Sequence, residues 1–272
     1  MSFTITVLME NTASDGALAG EHGLSLLVEG QGVRVLYDTG PSPRFLFNAR
    51  ALGAELEGLD ALVLSHGHYD HTGGAAALLT GPKPPKSIYL GRDFFARRFK
   101  RGGSEIGSLL DERTAMQSAE VHIVGDEPVR IAEGVFAVSG FTRTNSVELP
   151  DADMQRETSG GLATDTFCDE TALVLETPTE LTLISGCSHA GSANMCTRVE
   201  ELFGRKVDTF IGGTHLMNAD DERIEQTARL LRQHGVRRLG ACHCTGCRAN
   251  EYFASAYPGW FASNVGSRVT VG

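Results

Sequence analysis

The residues with the clearest chemical potential lie in one short stretch, residues 65–74, which reads SHGHYDHTGG. Three histidines and one aspartate fall within six positions, namely His66, His68, Asp70 and His71. The apolar run before them, residues 61–64, predicts a short buried strand because it is rich in Leu and is bounded by polar turn residues. Glycines within the stretch let the backbone turn sharply. We therefore expect the four side chains to leave a tight loop at a strand end and to converge on one point.

These side chains suit a transition-metal ion, so residues 65–74 are called the metal loop below. Imidazole nitrogen and carboxylate oxygen are ligands for zinc, manganese or iron, and two groups of them can hold a pair of ions. The other interpretation is a polar loop of solvated histidines, which so dense a spacing disfavours. The stretch predicts one or two divalent ions, with zinc as the first choice and manganese or iron as alternatives.

Three more apolar runs along the chain each lead into a histidine; these are His189, His215 and His243. Ligands and catalytic groups of layered α/β proteins lie at strand ends, so we expect these loops to meet the metal loop in one cleft. For His215 two roles stay open, a hydrogen-bonded core histidine and an acid/base or substrate-contacting group. We place it with Asp70 among the candidate catalytic residues. The remaining histidines have no comparable setting and are interpreted as structural or surface residues: His22, His122 and His234.

The HGHYDH motif at residues 66–71 resembles the HxHxDH signature of the metallo-β-lactamase superfamily, and the flanking Ser65 and TGG match its usual surroundings. The resemblance implies an α/β fold, the four-layer αββα sandwich, with two sheets between helix layers. Flavodiiron proteins of the same fold carry glutamate where this chain has His68. The resemblance therefore implies hydrolytic or related Lewis-acid chemistry rather than a redox di-iron centre.

The resemblance also implies how the ligands divide between two metals. In the superfamily the first two histidines of the motif bind one ion, whereas the aspartate and the last histidine bind the other. This implies Asp70, His71 and the C-terminal His243 as one ligand set. It implies His66 and His68 as the start of the second set.

The resemblance does not directly identify the third ligand of that second set, because the chain departs from the superfamily pattern. The mid-chain loop has GF at residues 140–141 in place of Gly-His, and the expected Ser-Gly-Asp turn reads SGC at residues 185–187. His189, two residues further on, is thus the candidate for the missing ligand. For Cys187 two interpretations stay open, a thiolate that bridges two metals and a small thiol packed in the core.

Two further predictions concern residues outside the ligand sets. Asp38 ends a strand in the sequence DTG, and the resemblance implies that it supports the metal loop without binding a metal. An aspartic protease would need two carboxylates that share a proton, and a second DTG is absent. Residues 92–101 are amphipathic and strongly basic. They form either a solvated helix face or an electropositive wall for an anionic substrate, which makes Arg97 and Arg98 candidate substrate contacts.

Two segments have an open interpretation. Residues 142–166 form a long polar stretch with no clear period, which is typical of a lid, a binding loop or a disordered segment. Cysteines crowd into CHCTGC at residues 242–247. A separate closed zinc site would need four ligands, and no second pair of cysteines is suitably spaced, while a redox pair at Cys244 and Cys247 stays open. We interpret these cysteines chiefly as neighbours of His243.

Composition places these motifs in an acidic globular chain. Its 272 residues fit one large α/β domain, so we predict a single metallo-β-lactamase-like domain over residues 1–272. The net charge of −10 disfavours a nucleic-acid partner. No leader pattern or membrane-length apolar run is present, and six cysteines without a leader are typical of reduced thiols. We therefore expect a cytoplasmic enzyme without a membrane partner that acts on a small anionic substrate, while the oligomeric state is not specified.

The order of the motifs narrows the resemblance. The chain carries GEHG at 20–23, the metal loop, SGCSHAG at 185–191, GGTHL at 212–216 and HCTG at 243–246. Together these resemble the superfamily members named 7,8-dihydropterin-6-yl-methyl-4-(β-D-ribofuranosyl)aminobenzene 5′-phosphate synthase, over nearly the whole chain.

Three functions stay open on this basis. The first is a metal-dependent hydrolase, in which metal-activated water attacks an anionic ester or phosphoester. The second is a transferase that joins a dihydropterin to an aminobenzene ribosyl phosphate. The third is a non-enzymatic metal or ligand sensor, which the ionisable groups at several strand ends disfavour.

Overall fold

Two β-sheets packed against each other form the centre of the protein, in a computed structural model that describes residues 1–272. In chain order the strands are β1 (Phe3–Met9), β2 (Ser25–Gly30), β3 (Val33–Tyr37), β4 (Ala61–Val63), β5 (Ser87–Gly91), β6 (Arg98–Lys100), β7 (Glu120–Val124), β8 (Val129–Ala132), β9 (Val135–Val138), β10 (Met154–Thr158), β11 (Gly161–Thr164), β12 (Ala172–Glu176), β13 (Leu181–Ser185), β14 (Thr209–Gly212), β15 (Arg238–Ala241) and β16 (Arg268–Val271). The helices are α1 (Arg44–Leu52), α2 (Tyr69–Thr72), α3 (Ala75–Leu79), α4 (Glu112–Ser118), α5 (Ser192–Phe203), α6 (Asp221–Gln233) and α7 (Gly246–Ala256), and a 3₁₀ turn spans His243–Thr245.

Each central sheet has an antiparallel part and a parallel part. The first sheet has the strand order β16-β1-β2-β3-β4-β5-β7 and is parallel from β3 onwards. The second has the order β15-β14-β13-β12-β9-β8, and β13, β14 and β15 are parallel. Parallel neighbours need a crossover connection, which α5 and α6 supply in the second sheet. The carboxyl ends of β13, β14 and β15 therefore lie along one edge.

The strands alternate their side chains between two apolar environments. Val35 of β3 packs between the sheets with Leu173 of β12, while the next residue, Leu36, packs under α1 against Phe45. In β12 the following residue, Val174, belongs to the core on the helical side, with α5 and α6. This period of two lets each sheet bury both faces. The resulting order of helix, sheet, sheet and helix confirms the predicted αββα fold.

Helix α6 shows how the sequence determines the start and the buried face of a helix in this fold. Asp220 caps α6, because its carboxylate accepts a hydrogen bond from the backbone N of Arg223 at 2.9 Å. Ile224, Ala228 and Leu231 then lie on the buried face of α6. None of the helices combines the length and the hydropathy needed to cross a membrane.

A small third sheet beside the cleft differs from the sequence interpretation. Residues 92–101 form a turn followed by β6 rather than a helix, and residues 142–166 contain the hairpin β10–β11. These strands pair antiparallel in the order β11-β10-β6. The amphipathic spacing of the basic stretch was misleading, because tertiary pairing of β6 with β10 overrides a short helical pattern.

Candidate metal centre

Four loops that follow neighbouring strands bring the predicted ligands together. The metal loop follows β4, and the other three follow β13, β14 and β15. They meet at one cavity of about 300 Å³. Members of all four loops line it: His68, Asp70, Cys187, His189, His215 and Cys244. The predicted convergence of the strand-end loops on one cleft is therefore present in the structure.

His66, His68 and His189 form a first group, which we call the histidine set. Their potential ligand atoms lie within 4.8 Å of one another, and Nε2 of His66 is 3.1 Å from Nδ1 of His68. Burial lowers the pKa of all three side chains and so favours the neutral imidazole that binds metals. Phe167, which sequence reasoning missed, stacks on the His189 ring at 3.7 Å between centroids. His189 thus lies beside the two histidines of the motif, as its proposed role requires.

Asp70, His71 and His243 form a second group, the aspartate set. Oδ2 of Asp70 lies 3.8 Å from Nε2 of His71 and 3.3 Å from Nε2 of His243. Burial alone would raise the pKa of Asp70, but the surrounding histidines outweigh it and hold the pKa well below its usual range. A permanently charged carboxylate therefore lies among imidazoles.

His22 corrects one sequence interpretation. Its Nε2 lies 3.4 Å from Oδ2 of Asp70, and with Asp70 and His243 it forms a potential ligand group. It is therefore at the edge of the aspartate set rather than an isolated surface histidine. Its place in the GEHG motif, one of those that carry the family resemblance, was the signal that could have indicated this.

Cys187 lies between the two sets. Its Sγ is 3.2 Å from Nε2 of His71, and the potential ligand atoms of Cys187, His66 and His71 are within 4.8 Å of one another. The thiol is buried, and burial raises its pKa. Gly186 allows this approach, because a Cβ there would lie 2.3 Å from Oγ of Ser65. The structure thus places the buried thiol next to one histidine of each set.

Asp38 lies directly behind the metal loop. Its carboxylate accepts hydrogen bonds from N and Oγ of Ser65, both at 2.7 Å, and contacts Nδ1 of His71 at 2.6 Å. A carboxylate at Nδ1 keeps the proton on that atom and leaves Nε2, which faces Asp70 and Cys187, free to bind an ion. Asp38 touches no other member of the ligand sets in this network, which agrees with the supporting role expected for it.

Two adjacent carboxylates that sequence reasoning missed hold the histidine set from behind. Glu170 accepts hydrogen bonds from the backbone N of His189 at 2.6 Å and of the next residue at 2.7 Å. Asp169 accepts one from the backbone N of Gly67 at 2.7 Å. Both acids follow a loop in an ordinary polar segment, so no spacing pattern marks them. They fix the position of the two loops that carry the histidine set.

The basic stretch does not supply the substrate contacts proposed for it. Arg98 is fully buried and ion-paired with Asp165 at 2.9 Å and Asp169 at 2.8 Å, so its guanidinium cannot reach a ligand in the cavity. Arg97 is exposed, pairs with Glu105 at 2.9 Å, and does not line the cavity. Both assignments are therefore corrected: Arg98 is part of the support for the metal loop, and Arg97 is a surface charge.

Lys100 is the cation that β6 presents to the cavity instead. It lines the cavity and has no carboxylate within ion-pair distance of its Nζ. From the polar stretch 142–166, Asp151 and Met154 line the same cavity. That stretch therefore contributes to the cleft, as expected of a binding loop.

His215 lies on the cavity wall rather than in the core. Its ring centroid is 4.4 Å from that of His189, and Nε2 is 3.5 Å from Oδ2 of Asp151. Burial lowers the pKa of His215, but Asp151 and Cys244 outweigh it and raise the pKa to about 10. The residue has a positive φ of 52°, a strained conformation for a side chain other than glycine.

The donor sets fit divalent metal ions. Nε2 of His68 and both ring nitrogens of His189 are buried without a hydrogen-bond partner in the protein. A buried polar atom without a partner is costly, and native proteins satisfy nearly all of them. A cation bound by these nitrogens would satisfy them. The surrounding imidazole, carboxylate and thiol groups are the ligand types that zinc prefers.

Comparison with known proteins agrees with a metal-binding site on this fold. A sequence model described as the metallo-beta-lactamase superfamily matches residues 18–159. The 7,8-dihydropterin-6-methyl-4-(beta-D-ribofuranosyl)-aminobenzene-5′-phosphate synthase of Methanocaldococcus jannaschii is 30% identical over 250 residues, covering 87% of this chain and 85% of the relative. The crystal structure of Tm1679, a metal-dependent hydrolase of the β-lactamase superfamily, is 30% identical with a TM-score of 0.86 and covers 99% of both chains. Zn²⁺-bound PqqB from Methylobacterium extorquens shares the fold alone, with 13% identity and a TM-score of 0.59 over 98% of this chain and 99% of that one.

These similarities agree with the fold and the motifs. They confirm the superfamily resemblance and its narrower form, because the named synthase matches most of the chain. Members of the superfamily bind divalent metals, and the relatives at 30% identity support an enzyme. The chain belongs to the metallo-β-lactamase superfamily.

Proposed function

We propose that the protein is a metal-dependent hydrolase that cleaves a small anionic ester or phosphoester. Zinc is the first candidate for the metal ion. The observation that carries the proposal is that members of both sets, His68 and His189 of the histidine set and Asp70 of the aspartate set, line one cavity, with unpartnered ring nitrogens at His68 and His189. The 30% identity to Tm1679, over nearly its whole length, supports the same class of reaction.

Each set would hold one ion, and together they form what we call the binuclear centre. His22 lies at the edge of the aspartate set, and Cys187 is the candidate bridge, since a metal-bound thiol loses its proton. Divalent ions held there supply Lewis acidity, which polarises a phosphoryl or carbonyl oxygen and brings the pKa of water towards neutrality.

The remaining groups of the cavity support an anionic substrate. Lys100 is unpaired and can attract a negatively charged group to the mouth of the cleft. His215 is the candidate acid that gives a proton to the leaving oxygen, because it faces the cavity and Asp151 stabilises its protonated form. Asp70, which belongs to the aspartate set and lines the cavity, is also the candidate for orienting the attacking water.

A transferase is the second candidate. The named synthase of Methanocaldococcus jannaschii is as similar in sequence as the named hydrolase is, at 30% identity. In such a reaction the ligand sets and Lys100 would bind an aminobenzene ribosyl phosphate and a dihydropterin diphosphate, and the ions would help the diphosphate leave.

Metal content tests the ligand sets. Elemental analysis of the purified chain should give at least two divalent ions, the number that the binuclear centre requires, and His189→Ala should lower that number and reduce turnover by more than about 100-fold, the upper limit typical of residues that only support a ligand. His122→Ala is the matched control, because His122 lies on β7 away from the cavity. One ion per chain that is unchanged in His189→Ala would contradict the assignment.

A substrate screen separates the two candidate functions. The zinc-, manganese- and iron-loaded proteins would be assayed against carboxylic esters, phosphomonoesters and phosphodiesters. A parallel assay would supply a dihydropterin diphosphate together with an aminobenzene ribosyl phosphate. Release of alcohol from an ester in the absence of a second substrate supports the hydrolase, whereas activity only with the pair of substrates supports the transferase.

A further inference from the structure

A third potential ligand group lies on the wall of the cavity. The ligand atoms of Cys187, His215 and Cys244 are within 4.8 Å of one another. Cys244 and His215 belong to neither set of the binuclear centre. All three residues line the cavity, although Cys187 and Cys244 are only 4% and 6% exposed. The two thiols are therefore shielded from bulk solvent and face the cavity.

Hydrogen bonds between the three loops hold these side chains in place. The loops of Cys187 and His215 are joined by the N of Gly213, which donates to the O of Gly186 at 2.8 Å. They are joined again by Oγ of Ser188, which donates to the O of Gly213 at 2.6 Å. The bonds lie on both sides of Cys187 in sequence, so the position of its Sγ is set by backbone and not by a flexible loop.

A second set of bonds joins the loops of His215 and Cys244. The N and Oγ1 of Thr214 contact Oγ1 of Thr245 at 3.1 and 3.0 Å. The N of Met217 donates to the O of Cys244 at 3.0 Å. These bonds flank the two ligands in sequence and hold His215 in its left-handed conformation.

The absence of a side chain at Gly213 leaves room for the thiol of Cys244. A Cβ at Gly213 would lie 2.4 Å from its Sγ, so any larger residue would displace the thiol from Cys187. Nδ1 of His215 is buried without a hydrogen-bond partner, while Nε2 faces Asp151. One ring nitrogen is thus free to bind an ion, and a carboxylate orients the other.

We propose that Cys187, His215 and Cys244 form an additional metal site, which takes zinc or a softer ion and shares Cys187 with the binuclear centre. Two thiolates and one imidazole suit zinc, and three protein ligands leave a fourth position open towards the cavity. This goes beyond the proposed function, because neither Cys244 nor His215 is a ligand there. An ion at this site would withdraw His215 from its proposed acid role and put a Lewis acid at the same wall.

Cobalt titration of the purified full chain, kept reduced, tests the site. Co²⁺ substitutes for zinc, and each thiolate ligand contributes to a sulfur-to-cobalt charge-transfer band in the near ultraviolet. Cys244→Ser removes one of the two thiolates, so we expect the band at saturation to fall by about half and the bound metal to fall by about one ion per chain. Cys247→Ser is the matched control, because Cys247 is exposed and belongs to no ligand group. It should leave both values unchanged.

Two further variants keep the outcome clear. His215→Ala should also remove one ion, and it does not depend on the folding of a buried cysteine variant. His68→Ala should remove an ion from the histidine set but leave both thiolates bound to cobalt in the additional site, so that most of the charge-transfer band remains. If Cys244→Ser and His215→Ala both keep the wild-type band and metal content, the additional site is wrong. If only His68→Ala fails to change the metal content, the binuclear assignment is wrong while the site at Cys244 stands.

A mass measurement tests whether Cys187 and Cys244 form a disulfide instead of binding a metal. The same reduced sample should have the mass of a chain with all six cysteines as thiols. Loss of two hydrogens that disappears in Cys244→Ser would show a disulfide between Cys187 and Cys244 under these conditions, and this would overturn the metal site.

Discussion

The histidine set and the aspartate set share one cavity but are held in different ways. Glu170 and Asp169 reach the histidine set only through backbone N–H groups, whereas Asp38 reaches the aspartate set through a ring nitrogen of His71. A backbone contact fixes where a loop lies. A side-chain contact also fixes which ring nitrogen carries the proton. The acids behind the first set therefore act through the positions of two loops, whereas Asp38 also determines which ring nitrogen of His71 carries a proton.

The support for the histidine set extends to Arg98, and its removal should have the largest effect on the fold. Arg98→Met leaves the buried carboxylates of Asp165 and Asp169 without their cation, so we expect the free energy of unfolding to fall by about 3–5 kcal/mol. Arg97→Met is the matched control on the same strand-forming stretch. Its guanidinium is exposed, so we expect no measurable change. Urea unfolding of the metal-free chain measures the free energy of unfolding of both variants. Equal effects of the two substitutions would contradict a stabilising role for the buried ion pairs of Arg98.

Asp38 tests the other form of support. Asp38→Asn keeps the size of the side chain, and because N of Ser65 donates to Oδ1, the amide oxygen takes that place and the amide N–H faces Nδ1 of His71. The proton then moves to Nε2, the atom that faces Asp70 and Cys187. We expect the affinity for the metal of the aspartate set to fall by about 10–100-fold, with a small change in stability.

The competing outcome for Asp38→Asn is an equal loss of affinity at both ions. Competition with a chelator, measured for each of the two ions, distinguishes this outcome from a loss at the aspartate set alone. If Asp38→Asn weakens both ions equally, the carboxylate holds the metal loop as a whole and the contrast between the two sets disappears.

The sequence predicted the residues of the site better than the residues that hold it. The HxHxDH motif is contiguous and the other histidines of the cleft each follow an apolar run, so local pattern indicated both the candidate ligands and the strand ends that carry them. Asp38 was found because it ends a strand in a recognisable place. Asp169 contacts Gly67, which lies 102 residues earlier in the chain, and Glu170 contacts a different loop at His189. The residues next to these two acids in the sequence form no motif that would indicate such contacts.

The basic stretch shows why pattern alone misled. Arg98 looks like its neighbours in sequence, yet only the pairing of β6 with β10 puts it against two acids that lie some seventy residues away. Gly67 belongs to the same arrangement, because a Cβ there would lie 2.6 Å from Nη1 of Arg98. His22 was missed for a related reason, since its loop reaches the aspartate set only in the folded chain.

Glu170 should give the smallest effect and the most informative dependence on pH. Burial raises the pKa of Glu170 to about 7, although its two N–H donors act in the opposite direction. Between its ordinary value of 4.5 and about 7 the folded chain keeps a proton here that the unfolded chain has lost. This contribution to stability is therefore present in full below about pH 4.5 and is lost as the pH rises through about 7.

Glu170→Gln removes that dependence, because an amide does not titrate. The variant keeps one acceptor for the N–H groups of His189 and its neighbour and sets an amide N–H against the other, which should cost about 1 kcal/mol at acid pH. Its deficit relative to the wild type should then narrow as the pH rises, since the wild type acquires a buried charge. Urea unfolding with a chelator present, over a series of pH values, measures the difference. A deficit that stays constant or widens with pH would mean that Glu170 is charged throughout, and the histidine set would then be held by a permanent anion.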